Sequence, residues 1–524
     1  MSTAYDGVPP DGKSVHECEL DRCEVAGQMN LLALHEIVFR RKLRWATHLR
    51  ALNDLEFFKG LMNTLPTKSD DMTAKKGKKH LRSMVEFKLI KPYARSAVKS
   101  FARYFAVLKS DGITARSIFN GRRISSFFKS PPTTNLPDIG DVLRIMSESD
   151  FLIIGDYRHY FHQYKLPQDI GEFFGLQLGK ESFIYNVLPM GWSWSPRLAQ
   201  CGSMAILIEA GARTGLLNPD DYKDLENQPS FVKLRGGMTT VWYDNVIGMF
   251  TDVSCRDLFY NKLLELCDKP QLNVAWKNIR KFNRKLMAES NEQKAEVAET
   301  AEEREKLQLP TYLGLMFANA RNTRSRDADG TGRMKWKHDP ARLGRWKEMT
   351  ETKTYATLRH LARAIGCILW DAVISCRHLC DELLCLKTLS AAGKAVVMNN
   401  WDASIASSPV TIEDVEYLRS RMEAIVFINP YYTVHRFAGA ETVECASDPS
   451  VASSTTRKAA AKVAGYGYVI WKDGEVDTMQ SCVSQQFFPD PLKNVHIYIL
   501  EMYAALMCIS KVSEKLPGCT IQNP

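Results

Sequence analysis

The chain has 524 residues, 45% hydrophobic and 25% charged, ordinary globular values for a length that predicts three or four domains. This composition excludes a chain disordered throughout, a collagen-like fibre and a small disulfide scaffold, and no apolar run nears the roughly 20 residues of a membrane span, so no membrane partner is expected. Thirteen cysteines, an odd number without a framework, fit reduced thiols in an intracellular protein of the cytoplasm or nucleus. The opening MSTAYDGVPPDGK lacks the basic-then-apolar pattern of a secretory leader.

The net charge is +9, and its distribution is uneven: residues 74–123 carry fourteen Lys and Arg against only Glu86 and Asp111. Phe87, Tyr93, Phe101, Tyr104, Phe105 and Phe119 are interleaved with them. Cations alternating with aromatics suit a surface that follows a phosphate backbone; a solubilising face has the same composition. KKGKK at 75–79 also matches a nuclear-import signal.

In chain order, residues 1–73 read as a polar tail, a helical stretch (LLALHEIVFRRKLRWATHLRALNDLEFFKGLMNTL) and the start of a mobile linker, TKSDDMTAKKGKK. From Leu81 to about Phe128, short strands and turns follow, with Asp111-Gly112 as a hairpin signal. FLII at 151–154 is a buried strand running into Gly155-Asp156. TTVWYDNVIGMF at 239–250 predicts two apolar half-strands meeting at Tyr243-Asp244-Asn245, a hairpin with acid at its tip. Residues 285–306 predict a solvated charged helix and 355–390 amphipathic helices. Strands return from about 440, and a helix is expected over 498–512.

Asp156 and Asp244 end comparable apolar segments. Acids at strand ends and hairpin tips that meet in one sheet suit Mg²⁺, which takes oxygen ligands from one or two carboxylates plus substrate phosphates; a pair of such ions clamps the attacking and leaving oxygens of a phosphoryl displacement. Each Asp alone also fits a turn or helix cap.

Four motifs around these acids, in order across about residues 100–320, resemble those of the reverse transcriptases of retroelements. VLKSDG…R…NGR resembles a fingers motif, GDYRHYFHQYKL at 155–166 the motif with the first metal-binding acid, LPMGWSWSP the Leu-Pro-Gln-Gly…Ser-Pro stretch, and VWYDNVIG the aromatic-x-Asp-Asp hairpin. The resemblance implies that Asp156 and Asp244 ligate catalytic Mg²⁺ (Mn²⁺ as a substitute) and that Lys109 and Arg116 hold the incoming triphosphate. It implies that Phe161 excludes a 2′-OH, so that dNTPs are the substrates, and that Met190 and Gly191 line the nucleotide site, Met190 standing where the family often has Gln. Lys277, in NVAWK, becomes the candidate that protonates pyrophosphate. Tyr312-Leu313-Gly314 resembles the hairpin that grips the primer end, and LRHLARAIGCILW the thumb helix, with Arg359 and Arg363 on one face. Four positions depart from the pattern. Asn245 replaces the second hairpin acid, keeping an amide oxygen without the charge; Tyr160 stands where Gly or Ala is usual and is expected to crowd the pocket; Leu108 replaces Pro and Asn120 replaces Asp.

Toward the C-terminus, Ala446-Ser447-Asp448, AGYGYVIW and NVHIYILEMYAAL resemble the start of a retroelement ribonuclease H domain. Asp448 and Glu501 would share two metals there, hydrolysing the RNA of an RNA/DNA hybrid. No Asp follows Asp490, so a truncated and inactive domain is expected. Among the signals set aside, CRHLCDELLC, with Cys376, His378 and Cys380, reads as a core helix, and Cys18 and Cys23 have no His cluster beside them in the sequence. No GxxxxGK[ST] loop is present.

The expected fold is α+β, a right hand of fingers, palm and thumb followed by a partial α/β ribonuclease H-like domain. Its expected divisions are 1–73 helical region and linker, 74–330 fingers and palm, 331–400 thumb, 401–440 connection and 441–524 ribonuclease H-like. The expected function is RNA-directed DNA polymerase of a retroelement, acting on a primed RNA or DNA template. LPMGWSWSP and HIYILE are similar to the tyrosine-recombinase-encoding (DIRS-like) kind. Two alternatives stand beside it: a decayed or domesticated copy that binds nucleic acid without synthesis, and a DNA-templated palm polymerase, against which the LPxGxxxSP stretch and the ribonuclease-like tail argue.

Overall fold

The computed structural model describes residues 15–67, 73, 77–109, 113–284, 309–319, 334–351, 355–375, 382, 384–388, 404–405 and 410–432, together with the strands 442–452, 463–472, 475–483 and 520–522. It is a mixed helix-and-sheet protein in two units, Met1–Val434 and His435–Pro524.

FLIIGDY is β-branched and apolar, and it forms a strand because both of its faces are covered. Define β1 (Tyr104–Leu108), β2 (Thr114–Phe119), β3 (Phe151–Tyr157), β4 (Val232–Leu234), β5 (Gly237–Trp242), β6 (Asn245–Phe250) and β7 (Trp276–Asn283). An antiparallel sheet runs β7-β3-β6-β5-β4. Alternate side chains go to opposite faces: Ile153, Val246 and Phe250 enter the large core, while Leu152, Ile247 and Met249 enter a second core with Val142 and Leu143 of the helix Ile139–Glu148.

The large core lies under helices α1 (Leu31–Arg40), α2 (Ser195–Arg213) and α3 (Val253–Cys267). The Ser-Pro of LPMGWSWSP opens α2 with proline in its first turn, where its missing N–H costs nothing. α2 is apolar nearly all round, the pattern of a helix enclosed on every side. Its one buried acid, Glu209, is met by Arg40, Arg41 and Arg213 at 2.5–2.7 Å.

The N-terminal helical stretch breaks into α1, a 3₁₀ segment Arg44–Leu52 and the short helix Leu55–Gly60. β1 and β2 pair antiparallel across the expected Asp111-Gly112 turn, which lies outside the described residues, and Glu19–Leu20 pairs parallel with Thr114–Ala115 on the far edge. The linker expectation is corrected in part. Thr73 is buried and its N–H donates to the Gln177 carbonyl, and Lys78 and Lys79 already belong to the helix Lys78–Glu86.

A three-stranded sheet follows, of β8 (Thr311–Tyr312), β9 (Leu315–Asn319) and β10 (Met334–His338), in that order. It closes the second core with Tyr312, Phe317 and Trp336. A third core joins the helix α4 (Leu358–Ile374) to α5 (Ile412–Glu423). The expected helices at 285–306 and 498–512 and the trio Cys376, His378 and Cys380 lie outside the described residues.

The second unit carries β11 (Thr442–Ala452), β12 (Val463–Lys472), β13 (Glu475–Val483) and β14 (Thr520–Gln522), in sheet order β13-β12-β11-β14. The first three strands are antiparallel, and β14 runs parallel to β11. No helix among the described residues is long and apolar enough to cross a membrane.

Candidate active site

The two expected acids meet at one end of the central sheet. Asp156, next to last in β3, stands opposite Asn245, the first residue of β6. Trp242 pairs with Asn245, leaving Tyr243-Asp244 as the two-residue turn. The Asp244 carbonyl accepts the N–H of Tyr157 at 2.9 Å, which ties the turn to the strand bearing Asp156.

The turn is strained. Tyr243 has φ of 58°, a left-handed conformation that a bulky side chain enters only when its surroundings enforce it. α2 supplies that enforcement: Gln200 Oε1 accepts the Tyr243 N–H at 2.8 Å, and the Ser203 hydroxyl donates to the Tyr243 carbonyl at 2.6 Å. Gln200 and Ser203 are positioning residues that the motif comparison passed over; the available signal was two polar residues three apart on one face of a largely apolar helix.

Burial and mutual repulsion set the electrostatics. Asp244 is pushed up from 3.8 to about 6, by burial first and by the Asp156 charge second, with Arg116 and the Asn245 amide pulling the other way. Burial also raises Asp156, against the pull of Lys277 and Arg116. Two carboxylates this close resist ionising together. Asp156 Oδ1 is buried and has no hydrogen-bond partner, a lone-pair acceptor left without a cation or proton donor.

Of the three expected cations, Lys277 and Arg116 act on the acids and Lys109 is engaged elsewhere. Lys277 sits where β7 slips register against β3, between Trp276 and Asn278, and its Nζ lies 3.3 Å from Asp156 Oδ2. Arg116, exposed on β2, acts on both acids through its charge. Lys109 is held instead by Asp21, at 2.8 Å. Asn245 donates its amide to Asp244 Oδ1 at 2.9 Å, so it braces the acid as a donor.

Phe161 is half-buried, with its ring 6.4 Å from that of Tyr243 at the hairpin tip. Tyr160, expected to crowd the pocket, is 1% exposed, stacked on Tyr157 at 4.7 Å, and its hydroxyl accepts from Tyr164. Burial took the ring into the core. Met190 accepts the Phe119 N–H through its carbonyl, and Gly191 lies so close to this strand that a Cβ would stand 1.9 Å from the Phe119 oxygen. With φ of +119°, only glycine fits there comfortably.

Leu313 and Gly314, at φ of 49° and 75°, form the tight turn between β8 and β9. Tyr312 is buried, and its hydroxyl lies 3.5 Å from the Asn245 carbonyl, bringing this hairpin beneath the acidic one. Arg363 is ion-paired with Glu348. Asp448 lies in β11 opposite Gly467; Glu501 lies outside the described residues.

Comparisons with known proteins fall at the level of the fold. No family model matches the chain, and no curated protein matches it. Among solved structures it is similar to the foamy viral protease-reverse transcriptase dRH in complex with double-stranded DNA, at TM-score 0.46 and 11% identity over 88% of this chain and 65% of that one. It is also similar to foamy viral protease-reverse transcriptase with RNA/DNA hybrid, at 0.47 and 12% over 88% and 50%, and with double-stranded DNA, at 0.41 and 11% over 95% and 90%. The chain thus spans 65% and 50% of the length of the first two.

Proposed function

We propose that the chain is an RNA-directed DNA polymerase that extends a primer 3′-OH with dNTPs, with Asp156 and Asp244 holding Mg²⁺. The observation that carries this reading is the pair of carboxylates, both raised by burial, at the end of adjacent antiparallel strands, one of them with an orphaned oxygen. An unsatisfied, buried, doubly acidic site fits a hard divalent cation. When bound, Mg²⁺ supplies charge neutralisation for the phosphate oxygens and a more acidic 3′-OH.

The chain's own residues supply the rest. Gln200 and Ser203 hold the Asp244 turn in its strained geometry, so the acids need no reorganisation during reaction. Arg116 faces the acids with its charge and would bind the triphosphate. Lys277, released from Asp156 as the phosphates arrive, is the proton donor to the leaving pyrophosphate. Phe161, beside Tyr243, would pack against the sugar at the position where a 2′-OH adds bulk. In the same reading residues 74–330 are fingers and palm, Tyr312-Leu313-Gly314 grip the primer end, and 331–400 form the thumb. The β13-β12-β11-β14 order, with its last strand parallel to β11, supports a ribonuclease H-like second unit in which Asp448 is an acid of the first strand.

A second reading, nucleic-acid binding without synthesis, is favoured by two contacts: Lys109 is already neutralised by Asp21, and Asn245 donates where a second acid would accept. Primer extension on a homopolymer RNA template with Mg²⁺ or Mn²⁺ separates the two. Extension that disappears in Asp156→Asn is the expected result. Absence of extension in the wild type and in Asn245→Asp, with salt-sensitive RNA binding intact, supports the second reading.

A further inference from the structure

We propose that Cys23, His159 and His162 form a binding site for a zinc-class divalent ion, fastening the N-terminal segment to the turn that follows Asp156. Each residue offers one ligand atom, and the three atoms lie within 4.8 Å of one another. The residues are 136 and 139 positions apart from Cys23 in the chain, so only the fold brings them together. Thiolate and imidazole are the donors that zinc prefers and that magnesium avoids, so this site is chemically distinct from the paired acids nearby.

Packing alone leaves part of the cluster unexplained. His162 is 5% exposed, and its Nδ1 has no hydrogen-bond partner. A buried ring nitrogen left in this way is destabilising. Cys23 is 3% exposed and free. Burial lowers both histidines, His162 to about 3, and raises the Cys23 thiol, so metal uptake would release the thiol proton.

The frame around the cluster is built. Gly27 N–H donates to the His162 carbonyl at 2.8 Å and Met29 N–H to the Gln163 carbonyl at 3.0 Å, so the segment after Cys23 is stitched to the helical turn bearing both histidines. His159 takes a left-handed φ of 45° at the start of that turn, and the two imidazole planes lie 13° from parallel. A water would complete four-fold coordination, and the Asp21 carboxylate lies 3.8 Å from His159 Nδ1 at the edge of the cluster. Since Asp21 also holds Lys109, the ion would set where the N-terminal segment stands against Lys109 and the strand carrying Asp156.

The full-length protein, stripped with a chelator, is titrated with Co²⁺ as a spectroscopic substitute for zinc. The expected result is one equivalent bound, with tetrahedral visible bands and a near-ultraviolet thiolate charge-transfer band, all displaced by Zn²⁺. Cys23→Ala and His162→Phe should lose the bands, while Cys18→Ala and Asp156→Asn keep them. His162→Cys restores a ligand and adds a second thiolate, so its charge-transfer intensity should about double; this variant decides the matter if loss of a ligand also unfolds the chain by circular dichroism. Bands that persist in Cys23→Ala, bands absent from the folded wild type, or a His162→Cys protein that is folded without them would overturn the proposal. None of these readouts depends on nucleotide transfer.

Discussion

Replacing Asp244 with Asn should stabilise the metal-free protein while removing its response to Mg²⁺. The carboxyl titrates near 3.8 when unfolded and near 6 in the fold, so the folded state holds its proton more tightly. Stability linked to this group is therefore full below pH 4, declines as pH rises toward 6, and is flat above. A rise of that size corresponds to about 3 kcal/mol at neutral pH. That figure is an upper bound, because Asp156 relaxes when its neighbour loses charge. The variant retains an oxygen to accept the Asn245 amide, so the hydrogen bond is not a confounding loss. Urea unfolding followed by tryptophan fluorescence, in chelator, should show Asp244→Asn gaining about 1–3 kcal/mol over wild type at pH 7.5 and about a third of that gain at pH 4.5. In millimolar Mg²⁺ the order should reverse, since only the wild type gains binding energy. Equal pH dependence in both proteins, or equal Mg²⁺ stabilisation, refutes the coupled-acid account.

Two further outcomes follow from the packing. Gly191→Ala places a Cβ 1.9 Å from the Phe119 oxygen at a φ of +119°, and should cost about 3 kcal/mol or more, read as a lowered urea midpoint together with loss of any primer extension. Glu209→Gln leaves Arg40, Arg41 and Arg213 without their acid. Because these arginines keep some access to water, the cost should fall below the 3–5 kcal/mol of a fully buried broken pair, at about 2 kcal/mol. Thermal unfolding measures it, and an unchanged midpoint shows that the cluster contributes nothing net.

Much of the central sheet was legible because its signals are local. FLII is a continuous apolar run ending at Gly-Asp, and VWYDNVIG is two apolar halves around a polar tip; period and turn chemistry require no partner to be read. The Ser-Pro that opens α2 is similarly local. The pairing of Asp156 with Asn245 and the slip that leaves Lys277 beside Asp156 belong to strand register, which is a property of two segments at once. Tyr160 was expected to crowd the nucleotide pocket, and its packing against Tyr157 and Tyr164 belongs to the tertiary structure. Lys109 was expected to hold the incoming triphosphate, and Asp21, 88 residues away, holds the lysine.

By itself, then, the amino-acid sequence marked the strand ending at Asp156, the hairpin around Asp244 and the basic, aromatic-rich stretch that precedes them. Tertiary structure alone decided what each charged group faces. It raised Asp244 through burial and the nearness of Asp156, strained Tyr243 under Gln200 and Ser203, and gathered Cys23, His159 and His162 into one cluster. The physical reason is range: periodicity and turn preference act over a few residues, whereas desolvation and charge coupling depend on which distant segments the core has pressed together.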